Sequence, residues 1–478
     1  MHELAQSRKN KICLEDYNFK HDIENRLAMA EFSTLDLEVL EEILYSSIKV
    51  PIRKLAKTLD LEDEEILPII EKLSKTGLFS IHEDSIQIDK DMRKYFEAQV
   101  IKFDPDFKPG MEFLQHLLKK VPISVLPVWY SIPRTSNNIF DSIVEKYLLS
   151  PQIFYRYLGE LNFVEPTLTA MMHDVYQAPD FVLYAENIIE KYGISKELFE
   201  EHVLNLEFNF VCCLCYRKVG DQWKETVTPF HEWKEYLTFL RNTDAHPLAS
   251  PQHIVRKRPH DYSFIQDMTS LLQLTKKQPI ALVQDKEHHL SFTPEMLVLL
   301  SEKIPGFQNG DPAFLKYLHC LVAKVRLLKL ADIIDGRLYA LEGASDLFEM
   351  RLENRALFLY RHPLNRLMSP HLPAQLCTER HVREAEKSIV RVLHSGWVYF
   401  DDFVKGVIVP LSEDSIVMLK RQGKTWKYHL PTYTDEELAL IKATVLEWLF
   451  EIGVTAVGTH ESKECFCVTP FGQSLFGR

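Results

Sequence analysis

"EDEEILPIIEKLSKTGLF", residues 62–79, decides how the first hundred residues are read. Ile66, Ile69, Ile70 and Leu73 recur at the i, i+3, i+4, i+7 spacing of one helical face. The four acids ahead of them, Glu62, Asp63, Glu64 and Glu65, sit where the positive end of a helix dipole favours carboxylates by roughly 0.3–1 kcal/mol each. Gly77 then offers the left-handed conformation that commonly ends a helix. The stretch therefore predicts a helix that starts on its acids. Working outward, Leu35 to Tyr45 is an acidic helical segment, and after "SSIKV" Pro51 precedes Ile52, Leu55, Ala56 and Leu59, again at helical spacing. On the other side, "SIHEDSIQID" alternates Ile86 and Ile88 with polar residues, as one arm of a hairpin does. Three short helices and a small hairpin result.

That order, over residues 33–100, resembles the winged-helix fold, a helix-turn-helix variant with a β-hairpin wing. It recurs. Residues 165–241 give three helical segments, then an apolar strand at Val211 to Tyr216, a turn at "VGDQW" and the return strand "KETVTPF". Residues 264–350 carry Asp311-Pro312 at a helix start, the apolar stripe Phe314, Tyr317, Leu318 and Leu321, and the Asp335-Gly336 pair favoured in two-residue hairpins. Residues 385–478 close the chain with a Thr434/Glu437 capping box and strands around "ECFCVTPF". The third helices begin near 62, 195, 311 and 434. The fold expected is mainly α with small β-hairpins, an array of about four divergent winged-helix modules joined by helical connectors. An N-terminal arm is assigned to 1–32, helical connectors to 101–164 and 351–384, and a Pro-containing linker to 242–263. Within 264–478, "FLKYLHCLVAKVRLLKLADIIDGRLYAL" and "VLEWLFEIGVTAVG" with "CFCVTPFGQSLF" are similar to the accessory winged-helix region beside the motor of XPB-type helicases. The resemblance implies an accessory region that works in DNA transactions, here without a motor.

Composition narrows the function classes. A net charge of -12 opposes non-specific attraction to a polyanion over the whole surface, so any nucleic-acid site must be local. The opening "MHELAQSRKNKICLEDYNFK" has no apolar signal core, and the nearest approach to a membrane span, Phe208 to Tyr216, contains Asn209. A soluble, cytoplasmic protein with no membrane partner is expected, its eight cysteines reduced. No G-x-x-x-x-G-K-[ST] cradle and no G-x-S-x-G elbow occurs. "HEWKE", from His231, lacks the second histidine of a zinc helix. "CCLC", with Cys212, Cys213 and Cys215, reads as a half-buried strand, and Cys465 and Cys467 as core of a hairpin, rather than as metal ligands. No catalytic residue, metal or cofactor is assigned.

Two basic clusters and two acidic ones remain as binding candidates. "LKRQGKTWKYHL" places Lys420, Arg421, Lys424 and Lys427 beside Trp426 and Tyr428, cations for phosphates with aromatic faces for bases. "IVRKRPHD" adds Arg256, Lys257 and Arg258, against the reading of a solvated linker. The acids Glu62, Asp63, Glu64 and Glu65, and Asp435, Glu436 and Glu437, stand at helix starts where a helix-turn-helix protein contacts bases, and there they would repel phosphate. They are read as protein-docking candidates. The function expected is a non-enzymatic macromolecule-binding protein, a protein-docking accessory factor in transcription or DNA maintenance. The alternative is a direct DNA-binding regulator that uses the basic-aromatic hairpin of the fourth module.

Overall fold

The computed structural model describes residues 11–477, apart from 137, 221, 285–289, 308–310, 370 and 424. The described chain is mainly helical, with small antiparallel sheets. It forms two compact units: Met1–Thr238 together with Val417–His429, and Phe239–Ile416 together with Leu430–Arg478.

The first unit begins with α1 (Phe19–Met29), which lies within the stretch read as an N-terminal arm. The helix is core: Ile23, Arg26 and Met29 are buried, and so are Asp22 and Asn25. Because its buried face is largely polar, apolar periodicity gave no sign of it. Next come α2 (Thr34–Tyr45), β1 (Lys49–Pro51), α3 (Ile52–Leu59), α4 (Asp63–Ser74), β2 (Phe79–His82) and β3 (Ser85–Ile88). Ser33 and Asp36 close a capping box on α2, and Glu62 and Glu65 close one on α4. β3 lies between β1 and β2, with Val50 opposite Ile86 and Phe79 opposite Ile88. Ile43, Ile66, Ile70, Leu73 and Ile86 meet beneath the sheet with almost no exposure, each burial worth roughly 1.5–3 kcal/mol.

A helical stretch follows: α5 (Lys90–Val100), α6 (Met111–Leu118), α7 (Leu126–Trp129), α8 (Ile139–Ile143), which continues as a π-helical turn over Val144–Leu148, and α9 (Pro151–Glu160). Then the element order returns as α10 (Pro166–Gln177), β4 (Leu183–Tyr184), α11 (Ala185–Tyr192), α12 (Lys196–Phe208), β5 (Cys213–Val219) and β6 (Gln222–Thr228), with β6 between β4 and β5. The first half of β5 is buried on both faces, Cys213 at 0% and Cys215 at 8% exposure, so it is a core strand and not the half-buried one expected. α13 (His231–Asn242) ends this stretch.

The second unit contains β7 (Val255–Arg256), α14 (Ser263–Lys277), β8 (Ile280–Gln284), β9 (Leu290–Phe292), α15 (Pro294–Lys303), α16 (Pro312–Leu327), β10 (Ala331–Ile334) and β11 (Arg337–Ala340). Asp311 caps α16 through the Ala313 amide. Asp335 and Gly336, at φ 48° and 70°, make the tight turn between β10 and β11. Connectors α17 (Gly343–Glu349) and α18 (Leu352–Arg361) lead to α19 (Glu379–Lys387), β12 (Val398–Tyr399) and α20 (Phe400–Lys405). The chain then makes the hairpin β13 (Met418–Gln422) and β14 (Thr425–His429). It continues with α21 (Asp435–Ala443), a π-helical turn over Thr444–Trp448, α22 (Leu449–Glu451), β15 (Thr455–His460), β16 (Lys463–Val468) and α23 (Pro470–Phe476).

The same order therefore appears four times: helix, short strand, two helices, hairpin. In each case the short strand pairs with the second hairpin strand, β1 with β3, β4 with β6, β8 with β11, and β12 with β16. β9 extends the third sheet and β7 the fourth, so 242–263 is not a free linker: two of its residues are the edge of the last sheet.

Candidate binding surfaces

The β13–β14 hairpin is a sheet of its own, grouped with the first unit rather than with the last repeat. Its anchors explain why. Tyr428 is 5% exposed and its hydroxyl donates to the Leu148 carbonyl at 2.8 Å, while the Leu419 amide donates to the Leu149 carbonyl, also at 2.8 Å. Both acceptors lie at the C-terminal end of the π-helical turn, where carbonyls lack an intrahelical donor. The Tyr428 ring packs 6.2 Å from Trp233 and 5.8 Å from Tyr236, and Trp426 meets Phe140 edge-on at 6.2 Å.

Strand alternation then divides the predicted site. Leu419, Arg421, Trp426 and Tyr428 share one face, and Lys420 and Lys427, directly opposite each other in register, share the other. Tyr428 is thus a buried anchor and not a stacking platform, and half-buried Trp426 is largely committed to Phe140. Lys420 and Lys427 are exposed and form no ion pair among the described residues. Arg421 is exposed near the tip, its Nε donating to the Gly423 carbonyl at 3.2 Å. Lys424 lies outside the described residues.

The 256–258 segment is also divided. Arg256 pairs with Asp261 and lies 5.8 Å from the Trp397 ring, and exposed Lys257 sits 5.0 Å from the Phe450 ring. Arg258 is not a surface charge. Its side chain is 1% exposed, pairs with Asp267, donates to the Pro305 carbonyl at 2.6 Å, and lies between the rings of Phe307 and Tyr317 at 4.9 and 5.1 Å. This correction required partners up to 59 residues away, which a local charge run does not disclose.

At α4 all four acids, Glu62 to Glu65, are exposed, and the outward face continues through Leu67, half exposed, Pro68 and Glu71. Pro68 lacks the amide that would bond the Glu64 carbonyl, which a water-facing position tolerates. At α21, Asp435 and Glu436 are exposed, but Glu437 is 3% exposed, with Oε2 accepting the Thr434 amide at 2.8 Å. Glu437 is a capping residue and drops out of the docking candidates.

Sequence reasoning missed a buried ionic cluster in the first unit. Arg26 donates to Glu200 and to Glu207, each at 2.8 Å, and Lys102 stands 3.8 Å from Glu207. Nearby, Lys120 pairs with Asp22 at 2.9 Å. Burial pushes the Glu207 carboxyl up, but Arg26 and Lys102 outweigh it and hold the group below its usual range. The same contest leaves Asp22 at about 2, burial being overcome by Lys120 and Arg26. The side chains of Arg26, Lys102, Glu200 and Glu207 are at most 1% exposed and that of Asp22 4%, so the cluster organises the core rather than a ligand.

Among the described residues, no group of three or more His, Cys, Asp or Glu is placed to hold a metal ion, and no helix is long and apolar enough to cross a membrane. No protein-family model matches the chain, and no curated protein matches it.

Proposed function

We propose that the four repeats are winged-helix modules and that the chain is a non-enzymatic accessory protein of transcription or DNA maintenance whose first module docks a protein. The observation that carries this reading is the outward face of α4. Five exposed carboxylates, at Glu62, Asp63, Glu64, Glu65 and Glu71, surround exposed Leu67 on the helix that a winged-helix reader would lay in the major groove. Phosphate repels such a face, and a basic segment with an apolar side chain complements it. The test is E64Q/E65Q, which keeps helix propensity and removes part of a modest dipole contribution, so stability should fall by about 1 kcal/mol or less. Proteins retained by the native chain after nuclease treatment should bind this variant with a slower, less salt-sensitive on-rate. Loss of sequence-specific DNA binding by the folded variant would reverse the reading.

A second reading, direct nucleic-acid binding, is favoured by one observation. Lys420 and Lys427 face each other across β13 and β14 without a carboxylate, an arrangement that destabilises a hairpin and that a polyanion would relieve. Replacing Lys420, Arg421, Lys424 and Lys427 by Ala should weaken duplex binding and flatten its salt dependence, by about 0.9 in logarithmic slope per lost phosphate contact. An unchanged slope excludes the patch. The similarity of 264–478 to helicase accessory regions fits either reading.

A further inference from the structure

The second unit contains a cleft of about 540 Å³ between the C-terminal end of α18, the turn that follows it, and α19. Its walls carry Arg361, Arg366 and Arg383. Arg361 and Arg366 are exposed and form no ion pair among the described residues, in a chain whose net charge is -12. The third arginine is held in place. Glu386, 1% exposed, takes the Arg383 Nη1 hydrogens at 2.9 and 3.1 Å, the Trp448 Nε1–H at 2.6 Å and the Tyr360 hydroxyl at 3.2 Å. With both oxygens used, this carboxylate orients Arg383 and has little capacity left for a cationic ligand. The other carboxylate on the wall, Glu379, is exposed.

A second buried charge fixes the opposite wall. Lys324, 2% exposed, donates to Asn365 Oδ1 at 3.2 Å and to the Arg366 carbonyl at 3.0 Å, and pairs with Glu451 at 2.7 Å. Its ammonium lies 5.1 Å from the ring of Trp448, the residue whose indole also bonds Glu386. Burying an ammonium is expensive unless it is paired and bonded, and here its bonds set the turn that presents Arg366. On that turn the Leu364 amide donates to His362 Nδ1 at 3.2 Å, so in the neutral ring Nε2 carries the hydrogen and is left as a donor. Guanidinium forks and an imidazole donor on prearranged walls match a tetrahedral oxyanion. The volume is that of a small-molecule site and not of an extended macromolecular surface.

We propose that this cleft binds a small phosphorylated molecule, with Arg361, Arg366 and Arg383 on the phosphate monoester. The test is calorimetric titration of the full chain with inorganic phosphate and, separately, with adenosine 5′-monophosphate, at matched ionic strength against chloride. Saturable binding of either is expected, tighter for the ester if the body of the molecule fills the cleft and equal if free phosphate is the ligand. R361A/R366A, with an unchanged circular dichroism spectrum, should weaken it by roughly tenfold or more for each lost charge-assisted bond. R361K/R366K, which keeps charge but loses the planar fork, should fall between the two. The proposal is overturned if neither probe saturates, if chloride gives the same heat, or if the alanine variant binds like the native chain.

Discussion

Glu232 shows how one residue links the fold to pH. It stands in the first turn of α13, 3% exposed, and its Oε1 accepts the Met111 amide at the start of α6 at 2.9 Å. Oε2 has no hydrogen-bond partner, and a Cβ on Gly110 would lie 2.7 Å from Oε1, so the carboxyl is closely confined. Burial pushes it from the ordinary 4.5 up to about 7. A raised folded value means that the native state holds the proton more tightly than the unfolded chain. The stability it contributes is complete below about pH 4.5 and is lost as the pH rises through about 7, at most roughly 3 kcal/mol once the group is ionised. E232Q keeps the acceptor and the shape without the charge. Its denaturation midpoint should match the native chain in mild acid and exceed it at pH 8, and a difference that stays flat with pH would remove this account. Nothing in "PFHEWKEY" signals that titration, because the confinement comes from Gly110 and Met111, more than a hundred residues away. Arg26 and Arg258 escaped the sequence for the same reason: their carboxylates are brought by the fold.

At the scale of elements, the informative signals were those contained in a few consecutive residues. The Thr434/Glu437 capping box, the Asp311 cap and the Asp335-Gly336 turn all form as expected, since each satisfies its own backbone locally. The hairpin at 418–429 was equally legible as a hairpin, turning at Gly423 with φ 64°. What its sequence did not contain was its destination, because that depends on Leu148, 280 residues from Tyr428. The alternation that gave the strands also separates lysines from aromatics, so the candidate site was half legible: its cations are exposed and its rings are anchors. Y428F tests the anchor. Removing the hydroxyl leaves the Leu148 carbonyl buried without that donor, a loss of about 1–3 kcal/mol, while the ring contacts with Trp233 and Tyr236 remain. A chemical denaturation midpoint indistinguishable from that of the native chain would mean that water replaces the hydroxyl and that the bond does not position the hairpin.

At the scale of the whole molecule, the chain path does not follow the order of the repeats. It leaves the second unit after Ile416, supplies β13 and β14 to the first, and resumes the second at Leu430. The four repeats are therefore not four successive beads, and a division in sequence at the 242–263 stretch would separate the first unit from one of its own parts. Local stability should reflect this arrangement, because opening a segment is governed by the contacts that bury it. Replacing 417–429 by a short Gly-Ser loop removes the donors to Leu148 and Leu149 and uncovers Phe140, Trp233 and Tyr236. Amide hydrogen exchange should then quicken in 139–149 and 231–237. Protection in α14 and α21 should remain, since the cores of those helices are formed by residues outside the hairpin. The same experiment separates the two roles of the hairpin: K420A/K427A changes only exposed side chains and should leave both sets of amides as they were. Faster exchange in α14 after loop replacement, or unchanged exchange in 139–149, would show that the hairpin is an appendage of the second unit after all, and its lysines would then have to be reasoned about as part of the last repeat.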